Sequence, residues 1–188
     1  MTAYQFIPIA ISIIAAIISG CTLLFNKKTI ESKEILQEAI LLLSRAFSTL
    51  TNNEEDSIPV KPDRINWLSC ARQLEEYKLL KEKISNKSHK IVCTAQEEYW
   101  RHKFYLLFKE DEKYPIGYFE ENPVRNRHES IEPISALIVF DFSSWPSEKK
   151  DPIDNTDYLK ILKENPTIIR KNRGLKQYLS KFRKFKID

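Results

Sequence analysis

The first 26 residues contain no charged side chain, and this absence constrains the chain more than any other feature. Residues 6–25 form an almost unbroken apolar run, which Lys27 and Lys28 follow directly. A helix of about 20 residues rises about 30 Å, the hydrocarbon thickness of a bilayer. The run therefore predicts a single N-terminal transmembrane helix over residues 1–26. Its predicted anchoring side chains are the large apolar ones: Phe6, Ile7, Ile13, Ile14, Ile17, Ile18, Leu23, Leu24 and Phe25.

The charges beside this run predict its orientation. Lys27 and Lys28 lie on its C-terminal flank, with Lys33 and Arg45 further along, whereas the N-terminal flank carries no Lys or Arg. Positive residues beside a span are retained in the cytoplasm. We therefore expect an inner (plasma) membrane protein of the bacterial type, with its N-terminus outside and its C-terminal domain in the cytoplasm.

An exported lipoprotein is the alternative explanation of the apolar run. Ile18-Ser19-Gly20-Cys21 has the form of a lipobox, in which Cys21 would carry the lipid. However, secretory signals begin with a positively charged region, and residues 1–5 have none. The chain also stays apolar through Thr22–Phe25, where lipoproteins usually become polar. These two features favour the uncleaved span.

Composition excludes several enzyme classes. The chain has three glycines, so neither the GxxxxGK[ST] motif of a P-loop nor the GxGxxG motif of a dinucleotide fold can be assembled. Cys70 and Cys93 show neither CxxC nor zinc-site spacing, which is typical of a protein in a reducing compartment. Abundant Leu, Ile, Lys and Glu favour helices over sheet. We therefore predict a mainly α fold, with a small helical-bundle-like soluble domain behind the anchor.

Residues 27–51 predict a juxtamembrane amphipathic helix. Leu36, Ile40, Leu43, Phe47 and Leu50 recur every three or four residues. A coiled-coil seam between two copies would show this rhythm. The stripe is wider than such a seam, because Ile35, Ala39, Leu42 and Ala46 flank it, and a wide stripe favours core packing within the monomer.

Residues 52–165 form the predicted helical domain. After a polar linker, Asp63 is the predicted N-cap of a helix that ends near Ser85. A helix over 88–109 has apolar residues on two sides and is expected at the centre of the bundle. Residues 111–133 are predicted to be irregular. For 134–142 we predict a helix that starts at Pro133, with a minor β element as the alternative.

Two further helices are predicted near the C-terminus. Asp154 is the expected cap of a short helix that ends at Leu162. A second helix opens at Asn165-Pro166 and is expected to break or bend at Gly174.

No residue pattern points to catalysis, to a cofactor or to a metal. The best metal-like pair is Glu98 and His102, four residues apart, but catalytic zinc and iron sites need at least three protein ligands. His102 also falls on the apolar stripe Ile91–Leu106, which predicts a hydrogen-bonded core histidine. Asp151, Asp154 and Asp157 lack the alternation and the glycine of a calcium loop. We therefore assign no catalytic, cofactor-binding or metal-binding residue.

Residues 166–188 concentrate positive charge, with eight basic residues against Asp188 alone. An apolar stripe that includes Ile168, Leu175 and Leu179 runs along the opposite side of this basic amphipathic segment. Such a helix suits the anionic inner leaflet, nucleic-acid phosphates or an acidic patch on the domain itself. The leaflet is favoured because the predicted anchor already holds the domain beside it. The expected lipid contacts are the basic side chains Arg170, Lys171, Arg173, Lys176, Lys181, Arg183 and Lys184.

Together these features predict a membrane-anchored scaffold or regulatory module that binds a protein partner or a second copy of itself. The chain resembles, in composition only, small accessory membrane proteins of bacterial and prophage genomes, a likeness that transfers no residue roles. Two alternatives stay open at this point. One is the lipoprotein anchored through Cys21, and the other is a membrane-anchored nucleic-acid-binding or hydrolytic accessory of a prophage or phage-defence system.

Overall fold

The structure, a computed structural model, describes residues 6–54, 58–120, 130–146 and 150–181, with side chains from Ala15 onward. Eight α-helices and no strand occur in these ranges. The protein is therefore mainly helical, as the composition predicts. Its helices are α1 (Phe6–Thr51), α2 (Arg64–Lys83), α3 (Lys87–Phe108), α4 (Ile116–Glu120), α5 (Pro133–Ser143), α6 (Tyr158–Glu164), α7 (Thr167–Lys171) and α8 (Arg173–Ser180).

Helix α1 is one continuous helix of 46 residues, so the helix predicted over 27–51 continues the apolar run without a break. It ends where Asn52 and Asn53 adopt left-handed backbone angles, which asparagine tolerates better than most residues. The stripe formed by Leu36, Leu43, Phe47 and Leu50 is buried within the monomer, against α2 and α3. The prediction of core packing is confirmed.

Helices α2 and α3 follow each other closely along the chain, and each begins with a side-chain cap. The Asp63 carboxylate accepts hydrogen bonds from the Ile65 and Asn66 amides, as predicted. Asn86 caps α3 in the same way, after a link of only three residues. The predicted bounds of both helices hold to within two residues.

An aromatic cluster fills the core where α2 begins and α3 ends. Trp67 is fully buried and contacts the rings of Phe108, Tyr118, Phe119 and Phe140. The irregular connection predicted over 111–133 is therefore only partly right, because α4 and a preceding 3₁₀ turn at Asp111–Lys113 bring aromatic side chains into this core. The part of this connection at 121–129 lies outside the described residues.

Residues 133–143 are helical, with Pro133 in the first turn of α5. The strand alternative over 134–142 is wrong. A lone strand has no neighbour to satisfy its backbone groups, whereas a short helix satisfies most of them internally and buries Val139 and Phe142.

The central position predicted for α3 is also wrong. Cys93, Phe104, Leu107 and Phe108 are buried on one face of α3. Ile91, Val92, Ala95 and Tyr99 are exposed on another. The packing against α1 and α5 covers only the first of the two apolar faces.

Residues 1–145 form one compact unit, and residues 146–188 form a second. The second contains α6, α7 and α8, and every described residue in it is at least partly exposed. Asp157 caps α6, and Asp151 caps a 3₁₀ turn at Pro152–Asn155, so the cap predicted at Asp154 is wrong. The predicted break at Gly174 falls instead at Asn172, whose side chain caps α8 by accepting from the Leu175 amide.

Candidate functional site

The described side chains in the first part of α1, from Ala15 to Lys28, are all exposed, and several of them are large and apolar. Ile17, Ile18, Leu23, Leu24 and Phe25 are each 60–70% exposed. Lys27 and Lys28, the predicted topology flank, are exposed on the next turn. Burial against the rest of the unit begins at Ser32.

Within the part of the chain that is described, no helix is both long enough and apolar enough to cross a membrane. Of the predicted anchoring residues, Phe6, Ile7, Ile13 and Ile14 have side chains that lie outside the described residues.

A groove of about 540 Å³ lies between α3, α5 and the turn that follows α3. Its walls combine aromatic, charged and hydroxyl side chains. They come from Glu98, Arg101, His102, Tyr105, Phe108, Asp111, Phe140, Ser143, Ser144 and Trp145.

Arg101 lines this groove and caps the carboxyl end of α5. Its Nη1 donates to the backbone oxygens of Phe142 and of Ser144, the latter at 2.7 Å. Its guanidinium also lies 4.9 Å from the centre of the Phe142 ring. The last carbonyl groups of a helix have no partner within the helix and favour a cation. Arg101 therefore fixes α5 to α3.

Glu97 links Arg101 to α2. Its two carboxylate oxygens accept from Lys81 Nζ at 2.5 Å and from Arg101 Nη2 at 2.8 Å. Burial opposes ionisation of Glu97, but the hydrogen bond from Lys81 and the charges of Lys81 and Arg101 outweigh burial and lower the pKa of this carboxyl group. The result is a charged Lys81–Glu97–Arg101 network that joins α2, α3 and α5.

Two serine hydroxyls line the groove, and the two cysteines that follow Cys21 lie outside it. The Ser143 and Ser144 hydroxyls both donate to the Phe140 backbone oxygen, at 2.7 and 2.9 Å. Burial raises the pKa values of the Cys70 and Cys93 thiols, and a thiol must ionise to act as a nucleophile. Among the described residues, no three His, Cys, Asp or Glu side chains group as metal ligands would.

His102 does not occupy the position that its apolar neighbours predict. It is exposed, and it lies in the groove with its ring stacked on that of Tyr105, 6.5 Å between centres. The prediction of a core histidine is wrong because the stripe that carries His102 is the uncovered face of α3.

The C-terminal cations are split between two short helices. Arg170 and Lys171 end α7, Arg173 and Lys176 lie on α8, and Lys181 follows α8. Leu175 and Leu179 are half-buried on α8, which keeps the predicted amphipathic pattern. Arg183 and Lys184 lie outside the described residues.

The Lys81–Glu97–Arg101 network was missed from the sequence. The four-residue spacing of Glu97 and Arg101 is the one signal that points to it, since such residues meet on a helix surface. Lys81 interrupts the apolar face of α2, but nothing in its neighbourhood along the chain identifies a partner 16 residues away.

Comparison of this chain with protein-family models, with curated proteins and with solved structures finds no match.

Proposed function

We propose that this protein is a single-pass, membrane-anchored helical module that binds a partner on the cytoplasmic side and performs no chemistry of its own. One observation carries this proposal. Helix α1 runs unbroken from the charge-free segment into the core of the helical unit. The proposal gives both parts of α1 an apolar environment. Lipid surrounds the first part, and the packed core of the helical unit surrounds the second.

The flanking charges support a cytoplasmic location for residues 27–188. Lys27 and Lys28 are exposed directly after the apolar run, where positive residues are retained on the cytoplasmic side. The three cysteines are free thiols, which is typical of a reducing compartment.

The groove between α3 and α5 supports the partner-binding part of the proposal. Tyr105 and Trp145 are about half exposed there, and large aromatic side chains are enriched at protein interfaces. The partner is either another protein or a second copy of this chain.

The C-terminal cations support a second contact with the membrane. Arg173 and Lys176 are exposed on α8, whose apolar side chains lie on another face. Each Lys or Arg beside an anionic leaflet contributes roughly 1 kcal/mol to membrane binding. Replacing Arg173 and Lys176 with Gln should therefore weaken salt-sensitive association with anionic vesicles more than the same change at Lys160 and Lys163.

Topology reporters fused after Asp188 test the central part of the proposal. A reporter active only in the cytoplasm should give signal, and one active only in the periplasm should not. Replacing Lys27 and Lys28 with Glu while adding two lysines near Thr2 should weaken or invert this orientation. Signal from the periplasmic reporter in the native chain would contradict the proposal and favour the lipoprotein anchored through Cys21.

Site-specific photo-crosslinking in cells tests the groove. A photoreactive residue at position 105 should give discrete crosslinked products, and one at the exposed Glu75 on α2 should not. Products at twice the mass of the chain identify a homo-oligomer. Equal crosslinking from both positions would show that the groove is not a specific interface, and crosslinks to nucleic acid would favour the defence-accessory alternative.

A further inference from the structure

The turn between α2 and α3 is fixed to the start of the buried part of α1. The Ser32 hydroxyl oxygen accepts from the Asn86 amide at 3.1 Å and lies 3.0 Å from His89 Nδ1. Ser32 is 1% exposed, and Ile84 in the turn is fully buried. These contacts therefore fix the position of the α2–α3 tip, defined as residues 82–90, along α1.

The tip lies close to the C-terminal end of the apolar run, which is Phe25. Ser32 follows Phe25 by seven positions in a continuous helix, a rise of about 10 Å. A lysine side chain spans a large part of that distance, and the screening length at 0.1 M salt is also about 10 Å. If the apolar run lies in the bilayer, as proposed above, the tip lies at the level of the lipid headgroups.

The two ends of this helical unit have opposite charge. The proximal end, residues 27–34 and 82–90, has six basic and three acidic side chains: Lys27, Lys28, Lys33, Lys83, Lys87 and Lys90 against Glu31, Glu34 and Glu82. All nine are exposed.

The distal end comprises the described residues among 51–64, 107–120 and 130–133, and contacts from Tyr114 and Tyr118 to Val60 hold it together. It has four basic and seven acidic side chains: Lys61, Arg64, Lys109 and Lys113 against Glu54, Asp63, Glu110, Asp111, Glu112, Glu120 and Glu132. Helix α2 separates this end from the tip by 20 residues, about 30 Å.

We infer that the α2–α3 tip, together with residues 27–34, is a binding surface for anionic lipid headgroups. This inference rests on the proposed membrane anchor and adds to it a lipid class and an orientation of the unit. The anionic leaflet attracts the basic end and repels the acidic end, so both ends favour the same orientation. Neither the tip nor its lysines belong to the C-terminal segment already proposed to contact lipid.

Fluorescence quenching in reconstituted bilayers tests this inference on the full-length chain. A fluorophore is attached at Ser85→Cys in the tip or at Glu112→Cys in the distal end, with Cys21 replaced by Ser. Cys70 and Cys93 are buried and do not compete for the label. The bilayers contain a quencher on the headgroup of either an anionic or a zwitterionic lipid, at equal mole fractions.

We expect the fluorophore at position 85 to be quenched several-fold more strongly by the anionic quencher lipid, and the fluorophore at 112 to stay near background in both bilayers. Replacing Lys83, Lys87 and Lys90 with Gln should remove most of the preference for anionic lipid. Replacing Lys61, Lys109 and Lys113 with Gln, a matched loss of three exposed lysines at the distal end, should leave it unchanged. Raising the salt concentration should reduce it.

Flotation of the reconstituted chain separates the two ways in which this inference can fail. A chain that does not float with the vesicles overturns the membrane anchor, and the lipid-binding tip with it. A chain that floats, but shows equal quenching at 85 and 112 or a preference that both triple variants retain, leaves the anchor in place and overturns the lipid-binding tip alone.

Discussion

The two parts of α1 have similar apolar side chains and opposite surroundings. In the first part, Leu24 is 65% exposed, and in the second, Leu43 is fully buried. Both lie on the same unbroken helix. The difference comes from α2 and α3, which pack on α1 from Ser32 onward, whereas the described side chains from Ala15 to Lys28 are all exposed. The apolar side chains of a helix therefore do not by themselves show which of its turns are buried. The positions of the neighbouring helices decide this.

Two single substitutions, Leu43→Ala and Leu24→Ala, test this comparison most directly. Leu43→Ala removes a fully buried side chain and should lower the free energy of unfolding by about 2–5 kcal/mol. Leu24→Ala removes an uncovered one and should change it by less than about 0.5 kcal/mol. Denaturant unfolding of the full chain in detergent, followed by tryptophan fluorescence, to which the buried Trp67 contributes, measures both changes.

A small effect of Leu43→Ala on unfolding, with a change in oligomer mass, would move the stripe to an interface between copies. A large effect of Leu24→Ala would show that the first part of α1 is covered within the folded unit.

Glu97→Gln tests the same comparison through α2 and α3, the helices that cover the second part of α1. It weakens the network that joins these two helices. Glu97 is shared between Lys81 and Arg101, and hydrogen bonds to charged groups contribute about 1.5–3 kcal/mol each. We expect a loss within that range for Glu97→Gln. The exposed pair Lys78–Glu75 is the control, and Glu75→Gln should cost less than about 1 kcal/mol.

The effect of Glu97→Gln should also depend on pH. The folded protein lowers the pKa of Glu97, so its contribution is complete above the unfolded pKa of about 4.3 and is lost as pH falls through the folded value. The difference in stability between the native chain and Glu97→Gln should therefore shrink as pH drops below about 4. A difference that stays constant from pH 7 to pH 3 would contradict the ionised network.

Apart from the control variants, Ser32→Ala has the smallest expected effect, and it tests the boundary between the two parts of α1. It removes the acceptor of the Asn86 amide and should cost about 1 kcal/mol, with faster hydrogen exchange at that amide. Thr29→Ala, which removes only an exposed hydroxyl bonded to the Phe25 carbonyl, should leave this exchange unchanged. Equal exchange in both variants would mean that Ser32 does not hold the tip.

Local signals made most of the helical architecture predictable. The Asp63 cap, the wide stripe through Leu43 and the position of Pro133 each act within one or two turns of the chain, so the sequence contains all the residues that decide them.

The groove could not be predicted because it depends on which face of α3 other helices cover. Both faces are apolar in sequence, and only packing shows that the face with His102 is open. Arg101 likewise finds its carbonyl partners more than 40 residues away. Contacts at such separations leave no periodic pattern along the chain.

Thiol reactivity along α1 in native membranes tests the membrane anchor most directly. Residue 21 is a natural cysteine inside the apolar run, and Lys28→Cys places a second thiol just beyond it, while Cys70 and Cys93 are buried. An aqueous maleimide reagent should label position 28 and should leave Cys21 and Ile17→Cys unmodified, with the intact mass showing a free, unlipidated Cys21 and an uncleaved N-terminus. Labelling of positions 17, 21 and 28 at equal rates would contradict a helix that lies in the bilayer up to Phe25.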